Sequence, residues 1–392
     1  MTLNDVELID RVDEFLAAND PRAVDQYTFR GAQYDAGLAW VHFPVGLGGL
    51  EVGRGYQSVV DERLRAGGSR YHDLFVNFIG IGMAAPTILK FGTEEMARRH
   101  FRPIFTGEEV WCQLFSEPAS GSDVAGLPSR GVLDGDEWIV NGQKVWTTLA
   151  HVARFGMLLT RTNPDVPKHA GLSYFILDMA SPGVEIRPLF QITGQAEFNE
   201  VFLADVRVPS SNMLGRPGDG WKVAMATLMN ERVTLGGGSA GRGAGPIRTL
   251  MRAWSERSPG LTEPRFSVLR DEVTDLWIKA EVLRLTNQRS KDLAATGQPG
   301  PGGSIGKLMS GQLNQSIFST CFTLEGAVGL LHPGGYPMKR TESATKNGSI
   351  VSQMLRSRAA TIEGGTTEIQ RNIIGERILG LPGDIRVDKD VP

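Results

Sequence analysis

The sequence predicts an α+β protein in which a helical region, a β region and a second helical region follow one another. Apolar residues recur at three-to-four spacing up to about residue 112. The hydrophobic period changes to two between about residues 113 and 218. The helical period returns after Pro209 and holds from about Trp221 to Arg377. This order fits neither a doubly wound α/β fold nor a repeat protein.

The composition excludes several classes of protein. With 392 residues the chain is long enough for two or three domains and a large core. Its formal net charge of −3 supplies no broad basic field, which disfavours nucleic acid as a partner. No apolar run approaches the roughly 18 residues of a spanning helix, and the acidic N-terminus is unlike a signal peptide. We therefore expect a cytoplasmic protein without a membrane span.

The two cysteines, Cys112 and Cys321, each lie in an apolar segment. Neither has a partner at metal-ligand spacing, so we expect buried thiols and no metal site. A disulfide between them is the alternative, and the low count suits a reducing compartment.

The first helical region contains two clear amphipathic patterns and one helix start. Thr93 precedes two glutamates, which predicts a helix with Thr93 as its N-cap and acidic residues in its first turn. Residues 43–50 are rich in glycine but lack a phosphate-loop lysine, so we interpret them as a structural loop. The apolar positions at helical spacing are Val6, Ile9, Val12 and Leu16, then Ile81, Ala84, Ile88 and Leu89.

The β region combines alternating strands with turn dipeptides. Asp134-Gly135 and Asn141-Gly142 both separate β-rich runs, and such dipeptides are the strongest local signal of a β-hairpin. We therefore expect a hairpin turn at each. Further strands are predicted at Phe155–Arg161, Leu172–Met179, Val184–Leu189 and Phe198–Val208.

The second helical region carries a glycine run that matches G-x-G-x-x-G, residues 236–241. A dinucleotide-binding fingerprint must follow a strand, whereas this run follows an amphipathic helix that begins at Trp221. We therefore expect no NAD to bind there. The same helix contains Glu231 at the edge of its apolar stripe and Arg232 near the middle, where a buried arginine needs a partner.

Residues 113–126, QLFSEPASGSDVAG, have the properties of a ligand-binding loop between the helical and the β region. Glu117-Pro118 makes a turn, and Gly121 permits a tight or left-handed backbone. The hydroxyls of Ser116, Ser120 and Ser122 lie beside free backbone N–H groups. Such a loop can bind a polar ligand.

This segment resembles the first signature of the acyl-CoA dehydrogenase family, T/S-E-P-x-x-G-S-D, at every fixed position. The resemblance implies a helical domain at 1–112, a central β-barrel domain at 113–218 and a C-terminal four-helix bundle at 219–392. It also implies FAD as cofactor, an acyl-CoA thioester as substrate for α,β-dehydrogenation, and an electron-transfer flavoprotein as partner. The loop residues assigned to FAD are Gln113, Phe115, Ser116, Gly121 and Ser122, with Ser122 also assigned to the substrate.

Trp146, Thr147 and Thr148 follow on a predicted strand and suit a flavin. Trp146 can cover an aromatic ring and Thr148 can donate a hydrogen bond, although a tryptophan on a strand is more often part of the core. The run is similar to the family's W-I-T element, in which the tryptophan flanks the isoalloxazine, and Thr147 replaces the usual isoleucine. The resemblance therefore assigns all three residues to the flavin.

The segment 361–371 resembles the family's second signature, Y-E-G-T-x-x-I-Q. Gly364, not Glu363, falls at the position of the base, so the resemblance assigns to Gly364 only a backbone N–H for the thioester carbonyl. It also implies that Thr366 and Glu368 contact FAD.

Glu231 and Arg232 resemble the E-R pair of the members that carry their base on an earlier helix. We therefore expect Glu231 to be the base, with Glu363 as the alternative, and Arg232 to contact the substrate. The alternative to a catalytic role is, for each glutamate, a structural salt bridge. For Glu363 the partner would be Arg356 or Arg358.

One departure from the family concerns assembly. The motif R-x-x-F-G, whose arginine reaches the neighbouring subunit's FAD in the family, is absent, and residues 254–259 read WSERSP instead. We expect a dimer or tetramer, with a hetero-oligomer as the alternative. Two other functions stay open: a flavin monooxygenase on the same scaffold, and a non-catalytic subunit of a hetero-oligomeric dehydrogenase.

Overall fold

The computed structural model describes residues 5–69, 77–236, 241–295, 302–331 and 348–383, and the side chains of residues 231–236 and 294–295 lie outside this description. Over these ranges the helical, β and helical regions follow one another as the sequence predicts. A continuous core of buried side chains joins all three regions, with Phe101 from the first, Met157 from the second and Val223 from the third.

The N-terminal region is helical. Its helices are α1 (Asp5–Ala18), α2 (Gln26–Asp35), α3 (Gln57–Ala66), α4 (Ala85–Phe91) and α5 (Glu94–Thr106). A π-helical turn at Gly80–Ala84 leads directly into α4. Thr93 is the N-cap of α5, as predicted, because its Oγ1 accepts the backbone N–H of Met96 at 3.2 Å.

Seven strands form one sheet in the middle of the chain. They are β1 (Trp111–Leu114), β2 (Arg130–Asp134), β3 (Glu137–Thr148), β4 (Phe155–Arg161), β5 (Leu172–Asp178), β6 (Val184–Pro188) and β7 (Phe198–Pro209). The pairing order is β1-β4-β2-β3-β7-β6, and β5 pairs with β4. The contacts of β4 with β1 and β2 are parallel, and the other pairs are antiparallel. The four strands predicted after residue 150 are confirmed to within one residue at each end.

Only one of the two predicted hairpin turns forms. Asp134-Gly135 joins β2 to β3, with Gly135 at a φ of 66°. The prediction for Asn141-Gly142 is wrong, because β3 runs through this dipeptide and its register with β7 shifts there. A β-carbon at Gly142 would lie 2.4 Å from the Cβ of Ser129, so the glycine permits close packing instead of a turn. Asn141 fixes the bulge by exchanging two hydrogen bonds of 2.9 Å with Asp205.

The C-terminal region returns to helices. They are α6 (Gly220–Gly236), α7 (Pro246–Arg257), α8 (Arg265–Ala295), α9 (Gly302–Glu325), α10 (Ile350–Ser357) and α11 (Thr367–Arg377). Helix α9 packs against each of the other five. The glycine run at 236–241 follows helix α6 and not a strand, as predicted, although residues 237–240 lie outside the described ranges. None of the helices described is long and apolar enough to cross a bilayer.

Both cysteines are buried free thiols, as expected. Cys112 lies on β1 and Cys321 on α9, so the two belong to different clusters of the core. The alternative of a disulfide between them is thereby ruled out.

His100 on α5 is part of the core between the first helices and the sheet. Its ring lies edge-on to Trp111, with centroids 5.1 Å apart, and to Phe155 at 4.8 Å. Burial, reinforced by the charge of Arg99, lowers the pKa of His100 to about 4, against a weaker opposite effect of Glu109. The folded protein therefore keeps this imidazole neutral at neutral pH.

We expect His100 to make the fold sensitive to acid. An unfolded histidine titrates near about 6.5, so between about pH 6.5 and 4 the unfolded chain binds a proton that the folded chain does not. As the pH is lowered through this window, the free energy of unfolding should therefore decrease by about 3 kcal/mol because of this residue. Urea unfolding of the parent and of His100→Phe at pH 7 and pH 4.5 measures the difference. An equal loss of stability in both proteins would contradict the assignment.

Candidate active site

The signature loop that follows β1 lies against the strand that carries Trp146. The backbone N–H of Val145 donates to the carbonyl oxygen of Ser116 at 2.9 Å. Phe115 is buried, and its ring meets Tyr174 edge-on with centroids 5.7 Å apart. The structure thus brings together the two segments that the sequence assigns to a flavin.

The far end of this loop is open to solvent. Glu117 and Ser120 exchange backbone hydrogen bonds of 3.1 and 2.9 Å, which form the predicted turn. Gly121 and Ser122 are exposed, and a β-carbon built on Gly121 would meet no atom within 4 Å. Gly121 therefore leaves free space beside the loop that a ligand can occupy.

A buried ion pair fixes the loop to the strand. The side chains of Lys144 and Glu117 are 0% and 1% exposed, and Lys144 Nζ donates to Glu117 Oε1 at 2.5 Å. The same Nζ donates to the carbonyl oxygen of Leu159 at 2.6 Å, and Glu117 Oε2 accepts the N–H of Ser129 at 3.0 Å. Burial lowers the pKa of Lys144 to about 8, and Glu117 acts in the opposite direction.

Sequence reasoning missed the role of this pair. From the sequence, Glu117 is interpreted only as a turn residue, and Lys144 is assigned no role. The available signal is a lysine at a position of β3 that faces the interior, which requires a buried partner.

Trp146 does not belong to the core. Its side chain is 61% exposed, and its φ of 60° coincides with a register shift between β3 and β7. The ring meets Phe198 edge-on, with centroids 6.0 Å apart. Thr147 is buried, and its Oγ1 has no hydrogen-bond partner among the described residues, whereas Thr148 is half-buried. The alternative that Trp146 is plain core is therefore ruled out, and its exposed face is available to a planar ligand.

The second signature forms a loop that requires glycine, followed by a capped helix. Gly364 and Gly365 have φ values of 63° and 91°, a region that other residues rarely adopt. Thr366 is the N-cap of α11, with its Oγ1 accepting the N–H of Ile369 at 3.2 Å. Glu368 is exposed in the first turn of the same helix.

Glu363 is engaged in an ion pair. Arg356 donates to both its carboxylate oxygens, with Nη1 and Nη2 at 3.1 and 2.8 Å. This confirms the salt-bridge alternative for Glu363 and selects Arg356 over Arg358 as its partner. Glu197, the residue before β7, is also held by Arg356.

Glu231 and Arg232 lie on the last turns of α6, and their side chains fall outside the described residues. The helix itself is anchored one turn earlier. Thr227 is buried, and its Oγ1 lies 3.0 Å from Thr87 Oγ1 on α4 and 3.2 Å from the hydroxyl of Tyr174 on β5. The hydrogen bond to Tyr174 fixes the backbone of α6 next to the buried pair of Phe115 and Tyr174.

Comparison with known proteins gives three matches to domain families. The N-terminal, middle and C-terminal domains of acyl-CoA dehydrogenases match residues 5–108, 112–206 and 218–379. Together they cover nearly the whole chain. They also confirm the fold class predicted from the sequence.

Two curated relatives come from Mycobacterium tuberculosis. The acyl-CoA dehydrogenase IpdE1 is 38% identical over 311 residues, which are 79% of this chain and 77% of the relative. The acyl-CoA dehydrogenase FadE34 is 37% identical over 349 residues, 89% of this chain. The match covers only 45% of FadE34, so the chain spans less than half of that protein's length.

A solved structure extends the similarity to the fold. The ChsE4–ChsE5 complex from Mycobacterium tuberculosis matches with a TM-score of 0.71 and 26% identity, covering 98% of this chain and 99% of the matched chain. The domain matches, the curated relatives and this fold agree with each other. The chain therefore belongs to the acyl-CoA dehydrogenase family of flavoprotein oxidoreductases.

Proposed function

We propose that this chain catalyses the FAD-dependent α,β-dehydrogenation of an acyl-CoA thioester and passes the electrons to an electron-transfer flavoprotein. The observation that supports the proposal is the hydrogen bond between Val145 and Ser116, which joins the signature loop to the strand segment that carries the exposed Trp146. Two segments far apart in the sequence thus form one candidate cofactor site. Membership of the family supports the reaction type.

The residues present fit FAD. The exposed Trp146 offers a face for an aromatic ring, the unpartnered Thr147 hydroxyl offers a hydrogen bond, and the space beside Gly121 leaves room for a ligand. When bound, FAD would supply the acceptor for the hydride that leaves Cβ of the substrate. The residues proposed to hold FAD are Gln113, Phe115, Ser116, Gly121, Ser122, Trp146, Thr147, Thr148, Thr366 and Glu368.

The protein's own groups must then remove a proton from Cα and stabilise the charge on the thioester carbonyl. We assign the removal of the Cα proton to the carboxylate of Glu231. The other candidate carboxylate, Glu363, has both oxygens bound to Arg356. The backbone N–H of Gly364 would donate to the thioester oxygen as the enolate develops. Ser122 and Arg232 would contact the substrate.

A panel of acyl-CoA thioesters of different chain length, branching and ring content tests the reaction. The protein is saturated with FAD and mixed anaerobically with each thioester, and bleaching of the flavin is followed. We expect at least one thioester to bleach it. A protein that binds FAD but is bleached by none contradicts the proposal, and rapid oxygen consumption by the reduced protein would favour a monooxygenase.

A hetero-oligomer is the second candidate, and two observations favour it. The related ChsE4–ChsE5 structure is a complex of two proteins. In this chain residues 254–259 replace R-x-x-F-G at the end of helix α7. The guanidinium of Arg257 in this segment pairs with the carboxylate of Glu325 of the same chain, with N and O 2.6 Å apart. Failure of the protein to retain FAD when purified alone, with recovery on adding a second subunit, would support this assembly.

Trp146→Ala is expected to weaken FAD binding by about 1–3 kcal/mol, or roughly 5- to 150-fold in Kd, because a stacked aromatic face is lost. Titration of the apoprotein with FAD measures the change. The melting temperature serves as the control, since the ring is 61% exposed and its loss should barely affect folding. Unchanged FAD affinity in a folded variant would show that Trp146 does not cover the flavin.

A further inference from the structure

Arg356 on α10 connects the second signature with the strand next to Trp146. Its guanidinium binds both oxygens of Glu363 at 3.1 and 2.8 Å. Its Nε lies 3.3 Å from Glu197 Oε1. The guanidinium also lies over the ring of Phe198 at 5.6 Å, and Phe198 in turn meets the ring of Trp146. One side chain therefore links Glu363, the residue before Gly364, to the start of the strand that pairs with the Trp146 strand.

The burial of Glu197 distinguishes this cluster from an ordinary surface ion pair. The side chain of Glu197 is 7% exposed, whereas those of Arg356 and Glu363 are 37% and 44% exposed. A buried carboxylate needs a cation or several hydrogen bonds, and Arg356 is the cation next to it. Burial raises the pKa of Glu197, Arg356 opposes this effect, and the charge of Glu363 adds to it. The two carboxylates thus repel each other, and the guanidinium between them holds them together.

We infer that Arg356 is a positioning residue that fixes the loop 363–366 against the strand next to Trp146 by binding Glu197 and Glu363 at once. The inference rests on the proposed function, because its consequence is a correctly spaced flavin site. Gly364 and Thr366 belong to the loop and follow Glu363 by one and three residues. Their distance from the ring of Trp146 is therefore set by the ion cluster.

The test compares Arg356→Gln with Arg358→Gln. Arg358 lies two residues further along, is exposed, and donates to Ser319 Oγ at 2.9 Å and to the carbonyl of Met354 at 3.2 Å. Its replacement removes the same charge but leaves Glu197 and Glu363 paired. FAD affinity of the apoprotein, the visible circular dichroism of bound flavin and the melting temperature are measured for both variants and the parent.

We expect Arg356→Gln to weaken FAD binding by at least about tenfold and to change the flavin dichroism, because two carboxylates then face each other without a cation. Arg358→Gln should stay within about threefold of the parent, as changes at exposed sites usually do. The double variant Arg356→Gln/Glu363→Gln removes the repulsion and should recover part of the affinity. Recovery of the affinity and of the flavin dichroism at an unchanged melting temperature distinguishes positioning from a general loss of stability.

The outcomes separate the two proposals. A parent protein that does not bind FAD overturns the proposed function. A parent that binds FAD, with equal affinity in Arg356→Gln and Arg358→Gln, overturns only the role of Arg356. If Arg356→Gln does not fold, Arg356→Lys replaces it in the test, because lysine keeps the charge but cannot form the bidentate bond to Glu363. An FAD affinity of Arg356→Lys equal to the parent's would then overturn the inference.

Discussion

Replacing Glu231 by Gln is expected to lower the rate of flavin reduction by an acyl-CoA substrate by at least about 10²- to 10⁴-fold, the usual contribution of a general base. The amide keeps the size of the side chain but cannot accept the Cα proton. Binding of FAD and of the thioester should persist, since neither depends on this proton transfer. Anaerobic stopped-flow measurement of flavin bleaching at saturating substrate checks the prediction.

Glu363→Gln is the matched control. Glu363 is the only other carboxylate that the sequence suggests as base, and its oxygens bind Arg356. Gly364, at the position of the family's base, has a left-handed backbone that a glutamate would adopt only with strain. At saturating FAD we expect the rate of flavin reduction to fall far less in Glu363→Gln than in Glu231→Gln, because Glu363 helps to position the loop but does not accept the proton. The reverse pattern, with loss in Glu363→Gln and normal reduction in Glu231→Gln, would transfer the role to Glu363.

Replacing Lys144 by Met is expected to destabilise the fold by about 3–5 kcal/mol, because it leaves the carboxylate of Glu117 buried without its cation. The hydrogen bonds from Nζ to Glu117 and to the carbonyl of Leu159 are lost together. Urea unfolding at neutral pH measures the change. FAD retention should fall as well, since Glu117 holds the turn of the signature loop.

Two variants show whether burial causes the effect. Lys168→Met breaks an exposed ion pair with Asp123, with N and O 3.1 Å apart, and should cost no more than about 1 kcal/mol. The double variant Lys144→Met/Glu117→Leu removes both buried charges and should regain part of the stability. A loss in Lys144→Met no larger than that in Lys168→Met would show that the pair contributes little.

The sequence by itself determined the order of the three regions and most of their elements. The period of the apolar residues and the capping residue Thr93 are local properties, and a strand or helix needs little more to be recognised. For this reason β4 has its predicted bounds, and β5, β6 and β7 differ from theirs by one residue. The motif at 116–123 was likewise sufficient to indicate the family.

The same kind of local signal failed where a distant residue decides the outcome. Asn-Gly is a dipeptide typical of hairpin turns. At Asn141-Gly142, however, Ser129 packs against the glycine and Asp205 hydrogen-bonds to the asparagine, so the dipeptide forms a bulge. A tryptophan on a strand is more often part of the core, yet Trp146 has a left-handed φ at the register shift between β3 and β7, and its ring is exposed. Both features depend on the pairing of strands that are far apart in the chain.

Tertiary structure alone decided how the charged residues of the site are paired. The sequence left Arg356 and Arg358 as equal partners for Glu363 and gave no role to Glu197. Arg356 is chosen because packing of α10 beside the start of β7 brings its guanidinium to the buried carboxylate of Glu197. A buried charge is stable only with a partner at short range, and residues so far apart in sequence meet only when the sheet and the helices have packed.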